Sequence, residues 1–198
     1  MGTTWIGETM KSALLATAFA LTSICPALAD DDASAMGAFL DTHVIGWATD
    51  PVLLDAIRAQ NIVHDGLSQA DIDRLDATWR AEVGQPETPT ISAVVDNAAS
   101  VFLRERIAQV AGITEIFVMD SQGLNVAASG PTSDYWQGDE EKFSQTAGKG
   151  PFARHFSEIE KDESSNSYQA QASFAIRDPE TGLIIGAMTV GIDAEILF

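Results

Sequence analysis

The chain has 198 residues and carries 29 Asp+Glu against 11 Lys+Arg, a formal net charge of −18. So acidic a surface repels phosphate backbones and anionic headgroups, which excludes nucleic acid and acidic membranes as partners. With 45% hydrophobic and 20% charged residues, the chain is not compositionally disordered, and its length allows a core that needs no disulfide.

Lys11 precedes an apolar run, Ala13 to Leu21, that is short for a bilayer span. The segment closes on Ala27-Leu28-Ala29 and is followed by Asp30-Asp31-Asp32, the order of a secretory signal peptide. Residues 1–29 are therefore expected to be an export signal, and 30–198 the mature chain, located in the periplasm. Glu8 and Lys11 leave together, so the mature charge stays at −18, and the only cysteine, Cys25, leaves with them. Ile24 stands where a lipobox wants a small residue, which argues against lipidation.

In the mature chain, Met36, Phe39, Leu40, His43, Val44 and Trp47 recur at i, i+3, i+4, i+7 and predict a helix with one apolar face, on which His43 reads as a core or capping residue. Asp50-Pro51 predicts an N-cap and N1 for a helix to about Gln60, with 61–66 as connector. Ser68 to Asp71 is a capping box for a helix with Ile72, Leu75, Trp79 and Val83 inward, stopped by Gly84 and Pro86. Thr90 is expected to cap one long helix, Ile91 to Ala111, whose buried stripe is Val94, Val95, Ala98, Val101, Phe102 and Leu103. This helical lead-in covers 33–111.

From 113 to 198 the period becomes two. Residues 115–120 and 124–129 predict a hairpin around Ser121-Gln122-Gly123, which is a more natural reading of Asp120 to Asn125 than a calcium loop. A polar excursion, 132–165, holds one short helix from Asp139 to about Thr146 and a short strand near 155–159. Ser167 to Arg177 alternates Tyr168, Ala170, Ala172, Phe174 and Ile176 with Gln169, Gln171 and Ser173. Leu183 to Asp193 is apolar on both sides and reads as a central strand. Helices followed by clustered strands predict an α+β fold with an antiparallel sheet.

Catalytic patterns are thin. His43, His64 and His155 have no zinc-binding spacing, and the mature chain lacks thiols, nucleotide-binding glycine loops and a hydrolase nucleophile elbow. The expectation is a non-enzymatic protein without metal or cofactor. The informative segment is Thr132 to Glu141. Two readings of it stand. Tyr135 and Trp136 between Asp134 and Asp139, with Gln137 alongside, can enclose an amine or other organic cation. Alternatively, Asp139 caps a helix and the two rings seal the core beneath the loop. The acidic run Glu160 to Ser165 reads as a solvated turn, with oxygen ligation of a hard cation as a weaker alternative.

The ordered set Glu115 to Ala127, Thr132 to Glu140, Asp162-Glu163-Ser164 and Ile184 to Gly191, with Trp47 to Pro51 and Ala56 to Asn61 upstream, resembles Cache domains. These are PAS-like extracytoplasmic sensor modules of bacterial histidine kinases and chemoreceptors. The resemblance implies a long N-terminal helix packed beside a central antiparallel sheet of about five strands. It also implies a small-molecule pocket on one sheet face, roofed by the polar excursion. Asp134, Tyr135, Trp136 and Asp139 would then fall at the roof with Gln137, while Phe117, Tyr168, Gln171 and Asp193 line the floor. Because Phe198 follows the last strand, the expected role is an exported binding module that reports to a separate membrane receptor. A second reading is a ligand-free partner of such a receptor, or a homodimer through the first helix. A hydrolase using Asp134 and Asp139 ranks last.

Overall fold

In the computed structural model of the chain, residues 1–2, 27–162 and 167–197 are described. Of the expected export signal, residues 3–26 lie outside them, while its last motif, Ala27 to Ala29, forms the first turn of α1 (Ala27–His43). Glu163 to Ser165 of the acidic run also lie outside.

The fold is α+β. Helices α2 (Pro51–His64), α3 (Gln69–Glu82), α4 (Pro89–Val95) and α5 (Ala98–Ile107) follow α1. The sheet comprises β1 (Ile113–Met119), β2 (Asn125–Ala128), β3 (Arg154–Phe156), β4 (Glu160–Asp162), β5 (Ser167–Arg177) and β6 (Ile184–Asp193), with α6 (Glu141–Ser144) between β2 and β3. All pairs are antiparallel in the order β2-β1-β6-β5-β3, and β4 also pairs with β5. The doubly apolar β6 is central, as its sequence predicts. Gly123 turns the β1–β2 hairpin at φ +86°, a conformation that favours glycine, and a Cβ there would sit 2.6 Å from the Gly138 backbone.

Period-two alternation divides the sheet into two faces. Ile116, Val118, Met188, Val190, Ile192, Ala172 and Phe174 pack on one side against Met36 and Leu40 of α1, Leu53, Leu54 and Ile57 of α2 and Leu103 of α5. On the other side Phe117, Met119 and Ala187 meet Trp79 of α3, Ile91 and Val94 of α4, and Tyr135. Helices α3 and α4 thus cover only part of the second face.

Several sequence expectations change. Helix α2 runs on to His64, because Gln60, Asn61 and His64 all bond to the sheet: Asn61 Nδ2 donates to the Ile185 carbonyl at 2.8 Å, and Gln60 Nε2 to Asp120 at 3.0 Å. Tertiary bonds therefore override the local polarity that suggested a connector. The expected single helix over 91–111 is two. Asn97 breaks it, accepting the Ser100 amide at 2.9 Å as the N-cap of α5. Val101 is consequently exposed, and Val83, beyond the end of α3, is exposed too. Thr88, not Thr90, holds the N-cap position of α4, and the Glu82 carboxylate takes over the capping. It accepts the Thr90 and Ile91 amides at 2.8 and 3.0 Å. His43 is exposed beside the Phe39 ring, not in the core.

The helical layer is fastened to the β5–β6 turn by a bidentate pair. Arg58 Nε and Nη2 donate to the Asp178 carboxylate at 2.8 and 2.9 Å, and the Glu180 and Thr181 amides bond the same group. The Arg58 guanidinium, with those amides, holds the Asp178 carboxyl down at about 2, against an ordinary 3.8. A carboxyl depressed in the folded state stabilises the fold above its unfolded value and loses that contribution as pH falls through the folded one. The urea midpoint of the wild type should therefore exceed that of Arg58→Gln near neutrality, and the gap should close between pH 3.8 and about 2. A gap undiminished at pH 2 would contradict the clamp.

Candidate ligand-binding site

Beyond Phe117 and Ala187 the second sheet face turns polar. Ser173 and Thr189 are fully buried and share a hydroxyl–hydroxyl bond of 2.9 Å. Farther along, Gln171 Nε2 donates to Glu115 Oε1 at 2.8 Å, and Gln169 Oε1 accepts the Thr114 hydroxyl at 3.0 Å. No helix of the α3–α4 pair covers this stretch. It is roofed instead by α6 and the residues before it.

Between roof and floor lies a cleft of about 640 Å³. Asp139, Glu140, Glu141 and Lys142 form its upper wall. His155, Ser157, Glu158, Glu160, Lys161, Gln169 and Gln171 form the rest. Five carboxylates therefore face two lysines. Lys142 is the inward group of the roof: its Nζ lies 5.5 Å from the Phe117 ring centre, 2.8 Å from Glu140 Oε2 and 3.3 Å from Gln137 Oε1. His155 Nε2 reaches toward Glu141 at 3.8 Å, spanning the cleft. The volume is that of a small-molecule site, and its charge favours a cation.

The structure separates the nine candidate residues. Asp139 and Gln171 line the cleft. Phe117 and Gln137 are buried at 2% exposure and touch Lys142 from beneath and behind. Asp134, Tyr135 and Trp136 do not line it. Their loop is bound to α3: the Tyr135 and Trp136 amides donate to Asp76 Oδ1 at 2.9 and 3.0 Å, and Arg80 Nε bridges Asp76 Oδ2 and Asp134 Oδ1 at 2.8 and 2.7 Å. Tyr135 stacks on Trp79 with centroids 5.2 Å apart, and burial pushes its phenol up to about 12, with Asp120 adding to the effect. Trp136 Nε1 donates to the Gln122 carbonyl at 2.8 Å. These two rings serve the core and the hairpin, and the Asp134 carboxylate is paired with Arg80.

Tyr168 is 56% exposed and lies in the alternation of Ala170 and Ala172, on the helix side. It stands three positions from Gln171, so the two cannot share a face. Asp193 caps the C-terminal turn by accepting the Glu195 amide at 3.0 Å. Asp139 is not an N-cap either: Glu140 occupies that position of α6 and makes no side-chain capping bond. Sequence reasoning missed Lys142, His155, Glu158 and Glu160 as wall residues. The Gln169-Gln171-Ser173 alternation was the available signal for the floor. Among the described residues, no group of three or more His, Cys, Asp or Glu is arranged to hold a metal ion.

Neither a family model nor a curated protein matches the chain. Solved structures of sensory domains are similar to it at low identity. The sensor domain of the V. cholerae histidine kinase DctB is 12% identical with a TM-score of 0.40, the match covering 86% of this chain and 58% of that one. The sensory domain of the Campylobacter jejuni chemoreceptor Tlp3, with isoleucine bound, is 14% identical at 0.39, covering 88% and 66%. The ligand-binding domain of the Pseudomonas aeruginosa PAO1 amino acid chemoreceptor PctC, in complex with GABA, is 14% identical at 0.40, covering 87% and 61%. These structures are sensor domains of Cache type, the family that the ordered motifs resemble. The chain spans less than two thirds of the length of each. At such identities no residue's role passes from them to this chain.

If Asp76 is what holds the 134–136 loop, Asp76→Ala should cost about 3 kcal/mol in urea unfolding, since it strands buried amides and a guanidinium. Glu141→Gln, on the exposed cleft wall, should stay within about 0.5 kcal/mol of wild type. Equal costs would refute this division between fastening and lining residues.

Proposed function

We propose that the chain is an exported, Cache-like sensory module that binds a small polar cation, an amine above all, in the cleft between α6 and the β5 floor. The observation that carries this reading is the cleft itself, with five carboxylates over a floor of amide side chains. An ammonium there gains charge-assisted bonds from Asp139, Glu141 or Glu160, while Gln171 supplies a directional partner. Lys142, already committed to Glu140 and Gln137, sets the inner limit of the cavity. The reading treats the module as a binder without chemistry of its own, and the resemblance to Cache domains supports a signalling role through a membrane receptor.

A thermal-shift screen of small amines against carboxylates of matched size tests the site. A true amine ligand at a hundredfold over its dissociation constant should add about 2.7 kcal/mol. The double variant Asp139→Asn/Glu160→Gln should weaken that ligand at least about tenfold. Stabilisation by carboxylates only, or an unaffected double variant, would overturn the assignment. Export is checked separately: mass spectrometry of the protein from the periplasm should find Asp30 at the N-terminus, and an intact Met1 there would contradict it.

A further inference from the structure

A second cavity, of about 320 Å³, opens on the opposite side of the sheet, where the end of β5 meets the 3₁₀ turn Ile45–Thr49 and the loop before β3. Its inner surface is apolar, with Ile45, Ala48, Phe174 and Ile176. At its mouth stands Phe152, 78% exposed, the most exposed aromatic ring among the described residues and a costly place for one. The Arg177 guanidinium lies 4.6 Å from the Phe152 ring centre. Two arginines, Arg154 and Arg177, line this cavity and no aspartate or glutamate does. In a chain of charge −18 that is a reversal of the local sign. Arg154 is tied to Asp41 at 2.5 Å, but Arg177 meets no carboxylate among the described residues.

We infer that this cavity is a second ligand site, distinct from the acidic cleft, and that it takes a small monocarboxylate with an apolar or aromatic body. The body would enter between Ile45, Phe174 and Phe152, and the carboxylate would accept hydrogen bonds from the Arg177 guanidinium. An Arg fork matches a carboxylate in geometry as well as charge, and the Phe152 ring lies against the guanidinium at the mouth, beside the space an apolar body would fill. An amine of the same shape would meet a cation at the mouth and lose.

Phenylacetate and phenethylamine, similar in shape and opposite in charge, make the test by calorimetry and ligand-detected NMR. Phenylacetate should bind saturably and at least about tenfold more tightly than phenethylamine. Arg177→Gln should remove that preference without changing the melting temperature, because the side chain is exposed. Phe152→Ala should weaken phenylacetate, and Asp139→Asn in the acidic cleft should leave it unchanged. Absence of saturation, equal binding of the two probes, or a loss caused by the cleft variant and not by Arg177→Gln would overturn the inference.

Discussion

One buried carboxylate sets the arrangement of the second sheet face. Asp76 accepts two consecutive amides of the excursion and pairs with Arg80, which also takes Asp134. Extended loops carry backbone amides that must find partners when buried. Without Asp76, Tyr135 could not lie flat on Trp79 and Trp136 could not reach the Gln122 carbonyl. With the loop fixed there, the chain re-emerges at Gln137, whose amide donates to the Gly123 carbonyl at 2.8 Å, and enters α6 over the polar end of the sheet. The cleft is the space left between that fixed roof and strands whose inward residues have changed from Phe and Ala to Ser, Thr and Gln.

The same logic explains the unequal treatment of the acidic residues. Asp76, Asp120 and Asp178 are buried and each accepts several hydrogen bonds that hold elements together. Asp139, Glu141, Glu158 and Glu160 are exposed around the cleft. The first group stabilises the fold, and the second sets the potential that a ligand meets. On the far side of the sheet the arginines invert that potential, so the two proposed sites have opposite preference about a common sheet.

Local signals carried much of the fold. The alternation of 167–177, the doubly apolar 183–193, the Asp50-Pro51 start and the Ser68 capping box all read directly because each is decided by near neighbours. What failed was decided at a distance. The extension of α2 to His64 depends on bonds to Asp120 and Ile185, and Glu82 caps a helix that begins several residues later. For the site, acids and aromatics adjacent in sequence suggested one cluster. The structure splits them, because Tyr135 and Trp136 face the α3 layer while Asp139 faces the cleft. Composition located the roof segment; only topology could tell which of its residues look inward. Tyr168 and Gln171, three positions apart on β5, lie on opposite faces, so period two alone separates them.

The acidic cleft between α6 and β5 is the proposed place of ligand binding. Amide chemical-shift mapping during a putrescine titration tests it most directly. Binding in the cleft should give saturable shifts centred on Lys142, His155, Gln169 and Gln171, with the region around Ile45 and Phe152 unmoved. Shifts confined to residues away from the cleft, or none at saturating diamine, would contradict it.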